Sequence, residues 1–155
     1  MHFRELTPAD LPPIFDLRTS VQENAVTREF LTESGITVES VTAMLGTTHR
    51  GWLCEIAGQP VGFAMGNRSN GELWVIAVRA EHEGKGIGRR LMHLVQDWLW
   101  SEGWTQLWLV TGTAPTRAFR MYCSLGWKDC GPLEGGGRRM ELTKPAPRPG
   151  SRANS

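Results

Sequence analysis

Residues 83–88 read Glu83-Gly84-Lys85-Gly86-Ile87-Gly88 and run into Arg89 and Arg90. Glycines at alternate positions let the main chain turn tightly and let a ligand approach it closely. Successive N–H groups of such a turn converge on one concavity, and a helix start adds partial positive charge. The chemistry this arrangement can do is phosphate binding, with Lys85, Arg89 and Arg90 available for further phosphates. A dinucleotide fingerprint, G-x-G-x-x-G, would need glycine where Arg89 stands and a parallel βαβ unit around it. A Walker loop would need Ser or Thr after its lysine, and Lys85 is followed by Gly86. Both are excluded. Taken alone, the segment also reads as a glycine-rich turn with a solvated basic face.

Four other groups of side chains could take part in chemistry. Tyr122 is the only tyrosine. It reads as a core aromatic with a satisfied hydroxyl or as a proton donor. Glu72 stands near Trp74, and a carboxylate against an apolar ring has a raised pKa and can accept a proton near neutrality. The other reading of Glu72 is an exposed residue at a strand start. His49 and His82 are rival bases. The three cysteines, Cys54, Cys123 and Cys130, are odd in number and lack C-x-x-C spacing. No metal site or disulfide framework is therefore expected, and reduced thiols suit a cytoplasmic protein.

The loop must be held between a strand and a helix, and the pattern around it supplies both. Residues 72–78, ELWVIAV, form a nearly continuous apolar run of the kind found in a central strand. After the loop, Ile87, Leu91, Leu94, Val95, Trp98 and Leu99 recur at helical spacing, with Gly103 as terminator. Residues 107–110 follow as a strand, expected to lie parallel to 72–78 because a strand–helix unit separates them. Upstream, 3–6 is a strand and a helix begins near Thr7 or Asp10. Residues 23–35 are polar and without clear period. Thr37 caps a second helix ended by Gly46. Residues 52–56 and 61–65 form a hairpin about a turn at 57–60, and 67–71 is a second turn before 72–78. A helix opened by Thr113 and Pro115 carries Tyr122 and ends at Gly126. Residues 127–130 and 139–142 are late strands around Gly135-Gly136-Gly137.

The stretch 78–88, VRAEHEGKGIG, resembles the acyl-CoA signature Q/R-x-x-G-x-G/A of the GCN5-related N-acetyltransferase (GNAT) superfamily. Residues 117–127, RAFRMYCSLGW, resemble that superfamily's A-x-x-x-Y-x-x-x-G-F block. The order of elements agrees over residues 3–142. Two departures stand out: Glu83 takes the Gln/Arg position, and Pro115 replaces the Asn that often starts the Tyr-bearing helix. The resemblance implies an α/β fold with a mixed, mostly antiparallel central sheet flanked by helices. It implies acetyl-CoA as co-substrate, wedged between strands 72–78 and 107–110. Its diphosphate would lie on Glu83, Gly84, Lys85, Gly86, Ile87, Gly88 and Arg89. Backbone donors at Ile76, Ala77 and Val78 would face the thioester oxygen where a bulge splays the strand, and Phe119 would contribute to the cofactor site. Tyr122 would protonate the leaving thiolate, and Glu72 would be the base. The breadth of the superfamily points to the primary amine of a small molecule as acceptor; the alternatives are a protein lysine or N-terminus, or a non-catalytic acyl-CoA-binding module.

The bulk properties are compatible with this. The chain has 155 residues, a net charge of +1 and 40% hydrophobic content. That suits one domain, expected over 1–143, with a Pro-, Arg- and Ser-rich tail over 144–155 expected to be disordered. No strongly basic face points to nucleic acid. No apolar run reaches the roughly 20 residues of a membrane span, and the N-terminus lacks a signal-peptide core. A homodimer is common in the superfamily. Seven tryptophans are expected mostly in the core, with Trp74 a candidate for a substrate cleft.

Overall fold

The period-two and period-3.6 stretches assemble into one seven-stranded sheet with helices on both faces. The computed structural model describes residues 1–20, 27–112 and 116–146. In chain order these form β1 (His2–Glu5), α1 (Leu11–Ser20), α2 (Arg28–Glu33), α3 (Val38–Leu45), β2 (His49–Ile56), β3 (Gln59–Asn67) and β4 (Glu72–Val78). Then come α4 (Ile87–Ser101), β5 (Gln106–Thr111), α5 (Arg117–Ser124), β6 (Lys128–Pro132) and β7 (Arg138–Thr143). The sheet order is β1-β2-β3-β4-β5-β7-β6. Only β4 and β5 run parallel, so the sheet is mixed and mostly antiparallel, as expected.

The starts of α2, α3 and α5 follow side-chain oxygens that satisfy the first free N–H groups. Thr37 Oγ1 accepts from Ser40 N at 3.1 Å, and Ser40 Oγ accepts from Thr37 N at 2.9 Å. Thr27 caps α2 through Phe30 N, which gives part of the polar stretch 23–35 a helix. Thr116 caps α5 through Phe119 N at 3.1 Å. Thr113 and Pro115, expected to open that helix, lie outside the described residues, as do 21–26 and the tail from 147 onward. The first helix is preceded by a short 3-10 turn, Pro8–Asp10. Arg4 fastens that turn to the sheet, pairing with Asp10 at 2.7 Å and Glu55 at 3.0 Å.

Two apolar layers sandwich the sheet. On one side Ile87, Leu91, Val95 and Leu99 of α4 pack with Tyr122, Trp127 and Met140. On the other, Leu11, Ile14 and Leu17 of α1 pack with Val41, Leu53 and Phe63. Of the seven tryptophans, Trp127 alone is fully buried. Trp52, Trp98, Trp100 and Trp104 pack half-buried against the α4 side.

The α1-side layer packs closely on β2. A Cβ on Gly51 would lie 2.4 Å from Met65 Cγ, 2.6 Å from Leu6 Cδ1 and 2.7 Å from Ala64 O. Side chains can yield, but the carbonyl belongs to the neighbouring strand. Gly51→Val should therefore destabilise by about 3 kcal/mol or more, lowering Tm by roughly 6–12 °C. Urea melting by tryptophan fluorescence checks this; an unshifted midpoint would show that the strands separate freely there.

Candidate active site

The parallel pair β4–β5 is joined only at its start. Glu72 pairs with Trp108, and Trp108 N donates to Gly71 O at 3.2 Å. Beyond that point the strands part. A cavity of about 850 Å³ fills the gap, walled by Leu73 to Val78 on one side and by Leu109 to Gly112 on the other. Ligands in α/β sheets sit outside the carboxyl ends of parallel strands, and this cavity opens at that end.

β4 is irregular where it borders the gap. Met65 faces Val75 and Gly66 faces Leu73, so Trp74 is an extra residue on β4. The bulge therefore falls before Ile76, not within 76–78 as expected. Its effect is to reset alternation. Leu73 packs on the α4 side, Trp74 and Val75 both on the α1 side, and Ile76 and Val78 again on the α4 side. An unbroken strand would put 72, 74, 76 and 78 on one face; the bulge separates Trp74 from Ile76 and Val78. Arg79 N donates to Val61 O at 2.8 Å. By alternation, the N–H groups of Ile76 and Val78 turn away from β3 and toward the gap.

The glycine-rich turn stands at one end of the cavity. Gly84 (φ 79°) and Gly86 (φ 84°) both take the left-handed conformation that side chains resist. Gly86 is the N-cap residue of α4, so the first N–H groups of a long helix open there. A Cβ on Gly86 would meet nothing within 4 Å. The main chain is therefore bare on its open side, as a diphosphate would require. Glu83, at the departed Gln/Arg position, pairs with Arg117 Nε at 2.9 Å, so its charge is held by a cation. Lys85 Nζ lies 2.9 Å from His82 Nδ1. Arg89 Nη2 donates to Ser124 Oγ at 3.2 Å.

Tyr122 reaches the cavity from α5 and is 5% exposed. Its ring packs against Trp127 at 6.3 Å between centroids. Burial pushes the phenol well above its ordinary pKa, against an opposing pull from the nearby Arg18 guanidinium. The hydroxyl therefore keeps its proton at any working pH. Thr111 Oγ1, at the end of β5 on the same wall, is buried without a hydrogen-bond partner.

The cavity thus gathers Ile76, Ala77, Val78, Glu83, Gly84, Gly86, Ile87, Gly88, Arg89 and Tyr122. Lys85 and Phe119 are not on its wall; Phe119 packs half-buried on the α4 side. Glu72 is also off the wall. It lies where β4 is still paired with both neighbours, to Asn67 and Trp108. Burial raises its pKa, opposed by Asn70 and Arg139. His49 is likewise outside; burial lowers its pKa, and its ring meets Trp74 edge-on at 4.8 Å. Among the described wall residues, Arg18, Phe30 and Thr111 escaped the sequence reading. Thr111 had a signal, as the carboxyl end of a strand parallel to β4. Arg18 and Phe30 had none.

The model of the acetyltransferase (GNAT) family matches residues 13–127. N-acetyltransferase family 8 member 2 of Rattus norvegicus is 28% identical over 88 residues, covering 52% of this chain and 39% of that protein. The chain spans about 40% of the length of the curated relatives it matches. Among solved structures, the PaiA N-acetyltransferase of Thermoplasma acidophilum in complex with coenzyme A superposes with a TM-score of 0.74 at 15% identity, covering 92% of this chain and 99% of that one. Aminoglycoside 6′-acetyltransferase type Ii gives 0.72 at 21% identity, with 96% and 100% covered. At these identities the structural likeness is one of fold.

Proposed function

This chain belongs to the acetyltransferase (GNAT) family, and we propose that it moves an acetyl group from acetyl-CoA to a primary amine of a small molecule, by direct attack in a ternary complex. The observation that carries this reading is the gap between β4 and β5, with a bare glycine turn at one end and Tyr122 on its wall. The N–H groups around Gly84, Gly86, Ile87 and Gly88 hold the diphosphate, and the α4 start adds its dipole. Lys85 and Arg89 stand near enough to the turn to meet outlying phosphate charge.

The donors of Ile76 and Val78 face the thioester oxygen. Preorganised donors at that atom typically contribute about 10²–10³-fold each. The amine nitrogen forms a bond to the acetyl carbon while the C–S bond breaks. Tyr122 gives its proton to the departing sulfur and recovers one from the protons the amine sheds. Among the described wall residues Glu83 is the sole carboxylate and Arg117 already engages it, while His82 also stands on the wall with Lys85 Nζ at its Nδ1. The amine loses its proton to water or to His82 on entry, and Glu72 is left a structural role.

Isothermal calorimetry with CoA and acetyl-CoA tests the reading. Uptake at micromolar levels is expected, with a thermal stabilisation near 2.7 kcal/mol when ligand is about 100-fold above Kd. NAD and ATP should give no comparable shift. A folded sample that takes up neither CoA nor acetyl-CoA at millimolar levels would overturn it.

A further inference from the structure

A second, smaller cavity of about 190 Å³ lies on the α1 side of β4. It shares Arg18, Phe30, Trp74 and Val75 with the large cavity, so the two meet at those residues. Its remaining walls, among them Phe15, Leu31, Val41, Phe63 and Met65, are apolar. Among its described wall residues Arg18 is the sole ionisable one. Arg18 comes from the last turn of α1, and its charge is felt at the Tyr122 phenol. A partly dehydrated guanidinium thus stands at the junction, with a greasy recess on one side and the proton donor on the other.

Phe30 closes the arrangement from above. It is 56% exposed yet lines both cavities. Its helix, α2, is tied to α1 by the Arg28–Asp16 ion pair and by Arg28 lying 5.5 Å over the Phe15 ring. The Trp74 bulge directs two consecutive side chains, Trp74 and Val75, to this side of β4. Both side chains line the recess.

Resting on the acetyl-transfer reading, we infer that the acceptor is a free α-amino acid with a sizeable apolar side chain, of the leucine, methionine or phenylalanine kind. Its side chain fills the small recess, its carboxylate pairs bidentately with Arg18, and its amine faces the gap between β4 and β5. Apolar walls disfavour polyamines and other polycations, as does the like charge of Arg18. The product is the N-acetyl amino acid, with the thioester sulfur leaving as the CoA thiol.

The test is CoA release from acetyl-CoA with matched acceptors. Phenylalanine, leucine and methionine should exceed phenethylamine, isoamylamine and phenylalaninamide in kcat/KM by roughly 10- to 100-fold, the range for a hydrogen-bonded charge. Alanine and aspartate should be poor. In Arg18→Met the ratio of phenylalanine to phenethylamine should collapse toward one, and Arg18→Lys should restore part of it. Retained acetyl-CoA stabilisation shows that the variants are folded. If amines lacking a carboxylate react as well as the amino acids, or if acetyl-CoA binds and no amino acid reacts, this inference falls while the transferase reading stands. If acetyl-CoA is not taken up at all, both fall.

Discussion

Tyr122→Phe is expected to lower kcat by roughly 10²- to 10⁴-fold while leaving acetyl-CoA uptake unchanged. The substitution keeps the ring, which is 5% exposed and packed on Trp127, so the fold should hold. It removes only the hydroxyl whose proton the departing sulfur would take. Burial raises the pKa of that hydroxyl, so the alkaline limb of the wild-type profile should not belong to Tyr122. Activity should persist well above neutrality, where an acceptor amine is increasingly uncharged. Stopped-flow or steady-state release of free thiol measures kcat, and calorimetry on the same sample measures uptake. A variant that turns over at the wild-type rate would take Tyr122 out of the chemistry and leave it as a core aromatic.

The site was legible in sequence to the degree that its parts are local. The phosphate cradle is contained in six consecutive residues, and the strand and helix around it carry unambiguous periods, so β4, the turn and α4 could be placed almost to the residue. Tyr122 could be placed because a single tyrosine falls on a short helix with a recognisable block around it. The Trp74 bulge could not, since it depends on how β3 and β4 register against each other. That is decided by packing on both faces rather than by the residues of β4. The pairing of Glu72 with Asn67 and Trp108, which sets it at the closed end of the β4–β5 pair, is likewise not shown by the pattern of β4 alone. Arg18 had no signal because it meets the cavity that Tyr122 lines only once α1 packs on the sheet. The helix Arg28–Glu33 is too short for a period to show, and short helices owe their stability to packing rather than propensity.

Introducing alanine at both Gly84 and Gly86 should weaken acetyl-CoA binding by roughly 30- to 1000-fold. Each residue holds a positive φ, 79° and 84°, and a side chain in that region costs about 1–2 kcal/mol per residue. The neighbours do not add to this. A Cβ on Gly86 would meet nothing within 4 Å, and one on Gly84 would come only to 3.8 Å from Arg117 Nη1. The cost is therefore borne by the turn itself, which relaxes and turns its N–H groups out of the concavity. Restoring the binding shape then costs that strain, so the diphosphate is held less tightly, while Tyr122 and the gap-facing donors of β4 stay in place. At saturating acetyl-CoA, kcat should accordingly remain near the wild-type value, with the loss confined to KM. Gly103 provides the control. It has the same left-handed conformation, φ 100°, with equally open space around it, but it closes the opposite end of α4. Gly103→Ala should cost a similar ~1–2 kcal/mol of stability and leave acetyl-CoA affinity untouched. If both variants weaken binding alike, the turn at 83–88 acts through the stability of α4 and not as an anion cradle.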